Sequence, residues 1–241
     1  MDIVEPRPAS TVVVIRRSAT TPVEVLLVRR SDTVAFMAGA FVFPGGRLDN
    51  EDRAHAAAAG RSETEESRFV DLTYREELSF RVAAIRELAE EANVSVSIDD
   101  LIPFAHWVTP ESERRRYDTR FFITMMPADQ EARHDASEAT ALAWLTPADT
   151  IERARAGEIM LPPPTWTTLK ELRQFGSIDA ALAWARGHPI VRIQPVLIEY
   201  GEHKILTLPG DPLHPSMPAA QIPEDTRFVF HSRRGWLPAS E

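Results

Sequence analysis

An α/β or α+β sandwich follows from two features of this chain. Strand-like and helix-like segments are mixed along its length, and 44% of its 241 residues are hydrophobic with no internal repeat. That is enough for one large core, or for a core domain with an appended subdomain.

Residues 11–15 and 24–30 are apolar, β-branched runs separated by Thr20-Thr21-Pro22, which predicts two strands and a turn. Residues 41–43 read as a short strand ending at Pro44-Gly45-Gly46. The stretch 51–79 is polar, alanine-rich and charged, with a helical pattern only in its later part, 69–78. Residues 80–92 are strong helix formers, and Asn93 is a left-handed stop after them. Strands are expected at 104–108, 116–125 and 139–144. A helix with Pro147 near its start covers 147–156. Leu161-Pro162-Pro163-Pro164 reads as a stiff extended connector, followed by helices at 165–175 and 178–186 and strands at 191–198 and 204–208. The last 30 or so residues are proline-rich and expected to be irregular.

Composition excludes several functions. There is no cysteine, so disulfides, thiolate metal sites and a Cys nucleophile are absent. The early apolar run 11–15 is too short for a signal-peptide core or a membrane span, so a cytoplasmic protein without membrane partners is expected. The net charge of −9 argues against a general nucleic-acid surface. A small polyphosphate remains admissible, held by bound metal and a few local arginines. Of the 27 basic residues only Lys170 and Lys204 are lysines, which suits phosphate recognition.

The chemistry concentrates in two segments, Phe43–Asp52 (FPGGRLDNED) and Arg86–Val94 (RELAEEANV). Projected at about 100° per residue, Val82, Ile85, Ala89 and Ala92 share one helix face, expected to meet the sheet. Glu87, Glu90 and Glu91 then stack on the opposite face. Like charges at those spacings repel, and near a helix C-terminus the dipole disfavours them further. A hard divalent cation would reverse that sign. Arg86 and Glu90 are spaced to pair. Alone, the acidic string is an ordinary solvated face and Phe-Pro-Gly-Gly an ordinary turn. Together they point to a site, because the two glycines permit close backbone approach to a ligand or metal.

These segments resemble the two halves of the box of the Nudix hydrolase family. That box reads Gly, five residues, Glu, seven residues, then Arg-Glu-apolar-x-Glu-Glu-x-Gly-apolar. Here Gly46 is followed at the same spacing by Asp52, and Arg86 to Val94 matches the second half with Asn93 in place of Gly. Thirty-three residues separate Asp52 from Arg86 where the box expects seven. The extra residues are read as a loop or small helical lobe at the mouth of the site. Leu26 to Ser31, Gly39 and Phe43 to Gly46 are similar to the coenzyme A diphosphatase signature, departing at Val28 and Ala35. Trp107 to Pro110, Arg116 to Phe122 and Leu161 to Thr165 extend a resemblance, over roughly 12–168, to the insert-bearing group that includes peroxisomal acyl-coenzyme A diphosphatases.

The resemblance implies an α/β/α sandwich with a mixed sheet. It places a Nudix domain at 9–160, with its insert at about 53–79, and a C-terminal extension at 161–241 packed on the core. It also implies Mg²⁺ or Mn²⁺ on Glu87, Glu90, Glu91 and the Gly45 carbonyl, with Arg86 orienting Glu87 or Glu90. Asp52 is the least secure position, since the insert begins there. Glu138, in the context before Trp144 and Pro147, is taken as a further metal ligand or general base. Arg30, Gly46, Arg115, Arg116 and Arg120 are the substrate-binding candidates, Arg114 lying beside them, while Tyr117, Phe121, Trp107 and Trp144 are read as core. None of the histidines forms a recognisable metal-ligand pair. The expected reaction is hydrolysis of a diphosphate in coenzyme A or acyl-coenzyme A to 3′,5′-ADP and (acyl-)phosphopantetheine. ADP-ribose, NAD(H) or a nucleoside triphosphate are the alternative substrates. A non-catalytic nucleotide-binding or regulatory module is the alternative of another class. A homodimer is left open.

Overall fold

Val12, Val13, Val14 and Ile15 are all fully buried, so the strand that carries them must be covered on both faces. The computed structural model, which describes residues 3–31, 38–58, 65–133, 139–216 and 224–240, shows that arrangement. In chain order the elements are β1 (Arg7–Arg16), β2 (Glu24–Arg30), β3 (Phe41–Val42), β4 (Gly45–Arg47), α1 (Asn50–Ala58), α2 (Tyr74–Ala92), β5 (Ile102–Val108), β6 (Tyr117–Met125) and β7 (Ala139–Leu145). They continue with α3 (Pro147–Ala156), α4 (Pro163–Leu172), α5 (Ile178–Gly187), β8 (Arg192–Ile193), β9 (Val196–Tyr200), β10 (His203–Thr207), β11 (Arg227–His231) and β12 (Gly235–Pro238).

The main sheet is mixed. Its central strand β1 runs parallel to β6 from Arg7 to Ile15. On its other side β1 is shared: β4 pairs with Ala9, Ser10 and Thr11, and β2 pairs with Ile15 and Arg16. Between those two partners the sheet splits, and the turn carrying Gly45 and Gly46 enters the split. Strand β5 follows β6, and β8 closes that side in parallel with β5. On one face Val12, Val14, Leu26 and Phe122 pack against α2. On the other, Val13, Ile15, Phe121 and Ile123 share a core with Trp166 and Leu169 of α4 and Ala181 of α5. Leu206, Phe228 and Leu237 of a second, four-stranded antiparallel sheet, β12-β11-β10-β9, join the same core.

Several elements differ from expectation. Helix α2 starts at Tyr74, inside the expected insert, where Thr73 and Glu76 form a reciprocal capping box. It ends as expected, with Asn93 left-handed (φ 52°, ψ 37°) and its N–H bonded to Ala89 O. Its inward face is Phe80, Ala83, Ala84, Leu88 and Ala92, while Ala89 is exposed and Val82 and Ile85 are half-buried. The helix is therefore rotated by roughly a third of a turn from the expected docking. The cause is size: Ala83 and Ala84 allow close approach to the sheet. Asn50 to Ala58, expected to be aperiodic, form α1 beside α2. Helix α4 begins at Pro163, two residues earlier than expected, since prolines at its first positions leave no amide unsatisfied. The expected strand at 191–198 divides at Gln194-Pro195 into β8 and β9. The C-terminal region holds the hairpin β11–β12, whose tight return uses Gly235 at φ 73°. Among the described residues no helix is long and apolar enough to cross a membrane.

On α4, burial pushes the Glu171 carboxyl up from 4.5 to about 7. The folded chain then holds a proton there that the unfolded chain releases, so stability falls as pH rises between those two values and stays reduced above the upper one. Glu171→Gln should therefore raise the melting temperature relative to wild type above pH ~7 and leave it unchanged near pH ~4. Thermal melts across that range check this, and a pH-independent difference would refute it.

Candidate active site

The site is built where the split sheet admits the Phe-Pro-Gly-Gly turn. Phe43 is buried in the core, and Pro44 O accepts Val12 N at 2.8 Å. A Cβ on Gly45 would lie 2.2 Å from Ser10 O and 2.7 Å from Thr11 Cα, so β1 itself excludes any side chain there. A Cβ on Gly46 would lie 2.3 Å from Glu87 Oε1 and 2.4 Å from Glu87 Cδ. The glycine thus makes room for a carboxylate rather than for a turn. Gly45 N donates to Glu91 Oε2 at 2.9 Å. Glu87 and Glu91 lie against the turn on the sheet side of α2, contrary to the expected outward stack; Glu90 alone is exposed, its side chain 58% accessible. The rotation of α2 onto its alanine face carries the two glutamates inward.

Arg86 ties these pieces together. Its Nε and Nη2 donate to the two oxygens of Asp52, each at 3.0 Å, and Nη2 also reaches Arg47 O at 2.9 Å. Its Nη1 donates to Glu87 Oε1 at 2.9 Å and to Glu90 Oε2 at 3.0 Å. Asp52 is 1% exposed and also accepts Asp49 N at 2.8 Å. The bonds to Asp52, with the charge of Glu87, outweigh burial and hold the guanidinium protonated beyond its ordinary range. Asp52, which sequence reasoning left insecure, is therefore the anchor of Arg86. The signal was its five-residue spacing from Gly46.

A cavity of about 630 Å³ opens over this turn. Glu87, Glu90, Glu91, Gly45, Gly46 and Arg30 all line it, as does Arg47, which sequence reasoning did not single out. Trp107, Tyr117 and Phe121, read as core from sequence, also line it. Trp236 and Leu206 reach it from the C-terminal sheet, and no local motif marks them. Trp144 does not line it; the Arg16 guanidinium stacks on its ring at 4.1 Å. None of the described residues between 50 and 73 lines the cavity, so the described part of the insert lies away from it and not at its mouth.

The other arginine candidates lie elsewhere. Arg115 is exposed on the β5–β6 hairpin and outside the lining. Arg116 is buried and donates to Val4 O at 2.6 Å and Thr109 O at 3.2 Å, which fastens the N-terminal segment to that hairpin. Arg120 is 2% exposed, bound to Asp71 Oδ2 at 2.7 Å and stacked over Phe69 and Phe80. It points to the α2 face of the sheet, because alternation places it opposite Thr119 and Phe121. Glu138 lies outside the described residues.

Asp71, His106 and Asp118 bring three ligand atoms within 4.8 Å of one another. The cluster already contains a cation, since Arg120 Nη2 lies 2.7 Å from Asp71 and 3.4 Å from Asp118. Burial lowers the His106 pKa against the pull of Asp118. Burial also opposes ionisation of Asp118, but the bond to His106 and the charge of Arg120 hold its carboxyl below the ordinary range. Arg120 thus ties Asp71 of the insert to Asp118 of the sheet.

With the geometry in place, comparison with known proteins gives a consistent picture. Residues 93–172 match a family model described as the NUDT19 Nudix domain. That match begins at Asn93, so the glycine turn and the carboxylate helix stand outside it. The chain is 24% identical to the acyl-coenzyme A diphosphatase NUDT19 of Xenopus laevis, over 84% of this chain and 74% of that protein. It is 26% identical to the putative nudix hydrolase 7 of Caenorhabditis elegans, over 78% of this chain and 68% of that one. The crystal structure of a NUDIX hydrolase from Alicyclobacillus acidocaldarius superposes with a TM-score of 0.65 at 28% identity, covering 76% of this chain and 97% of that one.

Two substitutions test this construction. Gly46→Ala should displace the Glu87 carboxylate and weaken Mn²⁺ affinity by ten- to a hundredfold, read by electron paramagnetic resonance; unchanged affinity would show that Glu87 is not held by the glycine. Asp52→Ala strands a partly buried guanidinium and should cost about 3 kcal/mol in urea denaturation. A cost near that of an exposed ion pair, below about 1 kcal/mol, would contradict the anchoring role.

Proposed function

Because the chain is a Nudix hydrolase that resembles the insert-bearing acyl-coenzyme A diphosphatases, we propose that it hydrolyses the diphosphate of coenzyme A or an acyl-coenzyme A. The products would be 3′,5′-ADP and (acyl-)phosphopantetheine. The observation that carries this reading is the placement of Glu87 and Glu91 against Gly46 and Gly45 inside a cavity that also presents Arg30 and Arg47.

The donor set fits a hard divalent cation. It offers oxygen ligands only, and the missing Cβ of Gly46 is the space that the Glu87 carboxylate fills. Glu87, Glu90 and Glu91, with the Gly45 carbonyl, would hold Mg²⁺ or Mn²⁺. Bound there, the ion would neutralise phosphate charge and acidify a water. The residues of the chain supply the rest. Arg86 fixes the directions of Glu87 and Glu90. Arg30 and Arg47 present cationic groups to the phosphates. Water adds to one phosphorus, the bridging P–O bond breaks, and the leaving phosphate takes the proton balance through a carboxylate base. Glu138 remains the proposed base, with the helix glutamates as alternatives.

Turnover of coenzyme A, octanoyl-coenzyme A, ADP-ribose and NADH, with and without Mg²⁺, tests the reading. Metal-dependent release of 3′,5′-ADP is expected, and Glu91→Gln should lower kcat at least about a hundredfold with the fold intact by circular dichroism. Cleavage of ADP-ribose or NADH in preference to both coenzyme A species would move the substrate assignment. Binding without cleavage of any of the four would support a non-catalytic module instead.

A further inference from the structure

The cavity has a wall that the carboxylate chemistry does not use. Pro162, Pro163, Pro164 and Thr165, the first turn of α4, all line it. This turn starts near the strand that carries Arg30. Arg29 pairs with Phe41 across β2 and β3, Arg30 N donates to Ala40 O at 3.0 Å, and Phe41 N donates to Met160 O at 2.9 Å. Pro162 is two residues past Met160, a span of at most about 7 Å. Helix α4 packs on the face of the sheet opposite α2, so this wall and the glutamates reach the cavity from different sides.

A helix start leaves four amides without an intrahelical acceptor, from the N-cap to the third helical residue. In α4 three of those positions are Pro162, Pro163 and Pro164, which have no N–H. The fourth is Thr165. Backbone bonding begins at Trp166, whose N–H reaches Pro162 O at 2.9 Å. The positive end of the helix dipole is therefore presented through one amide. No side chain caps it, and the first turn holds no acid. The Thr165 hydroxyl is a second, independent donor. Thr165 is 3% exposed, and its hydroxyl has no hydrogen-bond partner among the described residues. The unpartnered hydroxyl of Thr167 is sealed in the interior; that of Thr165 is not, and the space it meets is the cavity.

We propose that Thr165 is an anion subsite, where its amide and hydroxyl hold one phosphoryl oxygen of the substrate without a metal. This rests on the diphosphatase reading above. Two donors on one buried residue, at the positive end of a helix, fit a charged group that only accepts hydrogen bonds. The prolines before Thr165 fix the backbone of the turn, so the donors are in place before the ligand arrives. The oxygen belongs either to the phosphate on the ribose 5′ carbon or to a second phosphate elsewhere on the nucleotide, and the same chemistry serves both. Thr165 is thereby a positioning contact for the nucleotide, separate from the carboxylates of α2.

Calorimetric Kd values for adenosine, 5′-AMP and 3′,5′-ADP test the subsite apart from the reaction, since none of the three has an anhydride to cleave. Wild type should bind the two phosphates more tightly than adenosine. Thr165→Val removes the hydroxyl at nearly constant volume. It should weaken 3′,5′-ADP by about tenfold or more, leave adenosine unchanged, and be rescued by Thr165→Ser. Loss for 3′,5′-ADP alone places the 3′-phosphate at Thr165; loss for 5′-AMP as well places the 5′-phosphate there. Melting temperature confirms that each variant is folded. In the wild type, the Thr165 amide proton should shift downfield in NMR spectra on adding 3′,5′-ADP and not on adding adenosine. Equal Kd values for the three ligands in wild type overturn the proposal. So does an unmoved Thr165 amide, a Thr165→Val variant that keeps full affinity for both phosphates, or one that loses adenosine equally. Turnover in Mg²⁺ is read separately: cleavage of a diphosphate with no Thr165 effect on Kd leaves the diphosphatase reading standing and removes the subsite. A Thr165 effect on Kd without cleavage of any diphosphate retains the subsite and removes the reaction.

Discussion

The site depends on one guanidinium. Arg86 binds Asp52 with two parallel bonds, Arg47 through its carbonyl, and two glutamates of its own helix. Without that cation, Asp52 would be a buried carboxylate costing several kcal/mol, and Glu87 and Glu90 would repel each other. With it, the glycine turn, the start of α1 and the C-terminal half of α2 become one unit. Bidentate geometry matters here, because it fixes direction as well as charge. A lysine at this position could neutralise but not orient.

The long insert is tolerable for the same reason. Raising the separation of Asp52 and Arg86 from seven residues to 33 adds only about 1.4 kcal/mol of closure entropy. The return limb then contributes anchors of its own. Arg68 donates to Pro103 O at 2.8 Å and to Ala185 O at 2.7 Å. Glu77, 1% exposed, accepts from Ser67, Arg68 N and Arg81. Phe69 fills the core under α2, and Asp71 meets Arg120. Arg68 reaches round to α5 while Glu77, Phe69 and Asp71 lie on the α2 face of the sheet, so the described insert buttresses α2 and contributes no residue to the cavity lining.

What was legible in the sequence follows from what is local. The capping and stop signals of α2, the paired glycines, the Arg86–Glu90 spacing and most strands are encoded within a few residues of themselves. The orientation of α2 was not. Treating every glutamate as outward-facing put the sheet contact on Val82, Ile85 and Ala89. Glu77 and Glu91 turn inward because Arg81 and the Gly45 amide satisfy them. Arg81 is a local partner on the same helix, but the Gly45 amide lies 46 residues from Glu91 and is set by tertiary contact. The same limit explains the arginines. Residue type identified Arg30, Arg116 and Arg120 alike as anion binders, yet strand alternation put Arg120 on the helix face, and a backbone carbonyl claimed Arg116. The hairpin of β11 and β12 was hidden because Arg227 and His231 flank its apolar centre.

The walls of the cavity have different origins in the chain. The carboxylate wall comes from one short turn and one helix, and its carboxylates are aimed by hydrogen bonds. The rest of the lining includes residues of β5, β6 and segments more than a hundred residues beyond the turn. Changes to the far wall leave Arg86 and the glycines undisturbed, because strands of the central sheet lie between them. The geometry of Arg86 and its carboxylates is thus separate from the far wall of the cavity. The core shared by the C-terminal sheet and the main sheet supplies the stiffness that this separation requires, since Leu206, Phe228 and Leu237 pack in the same cluster as Val13 and Phe121.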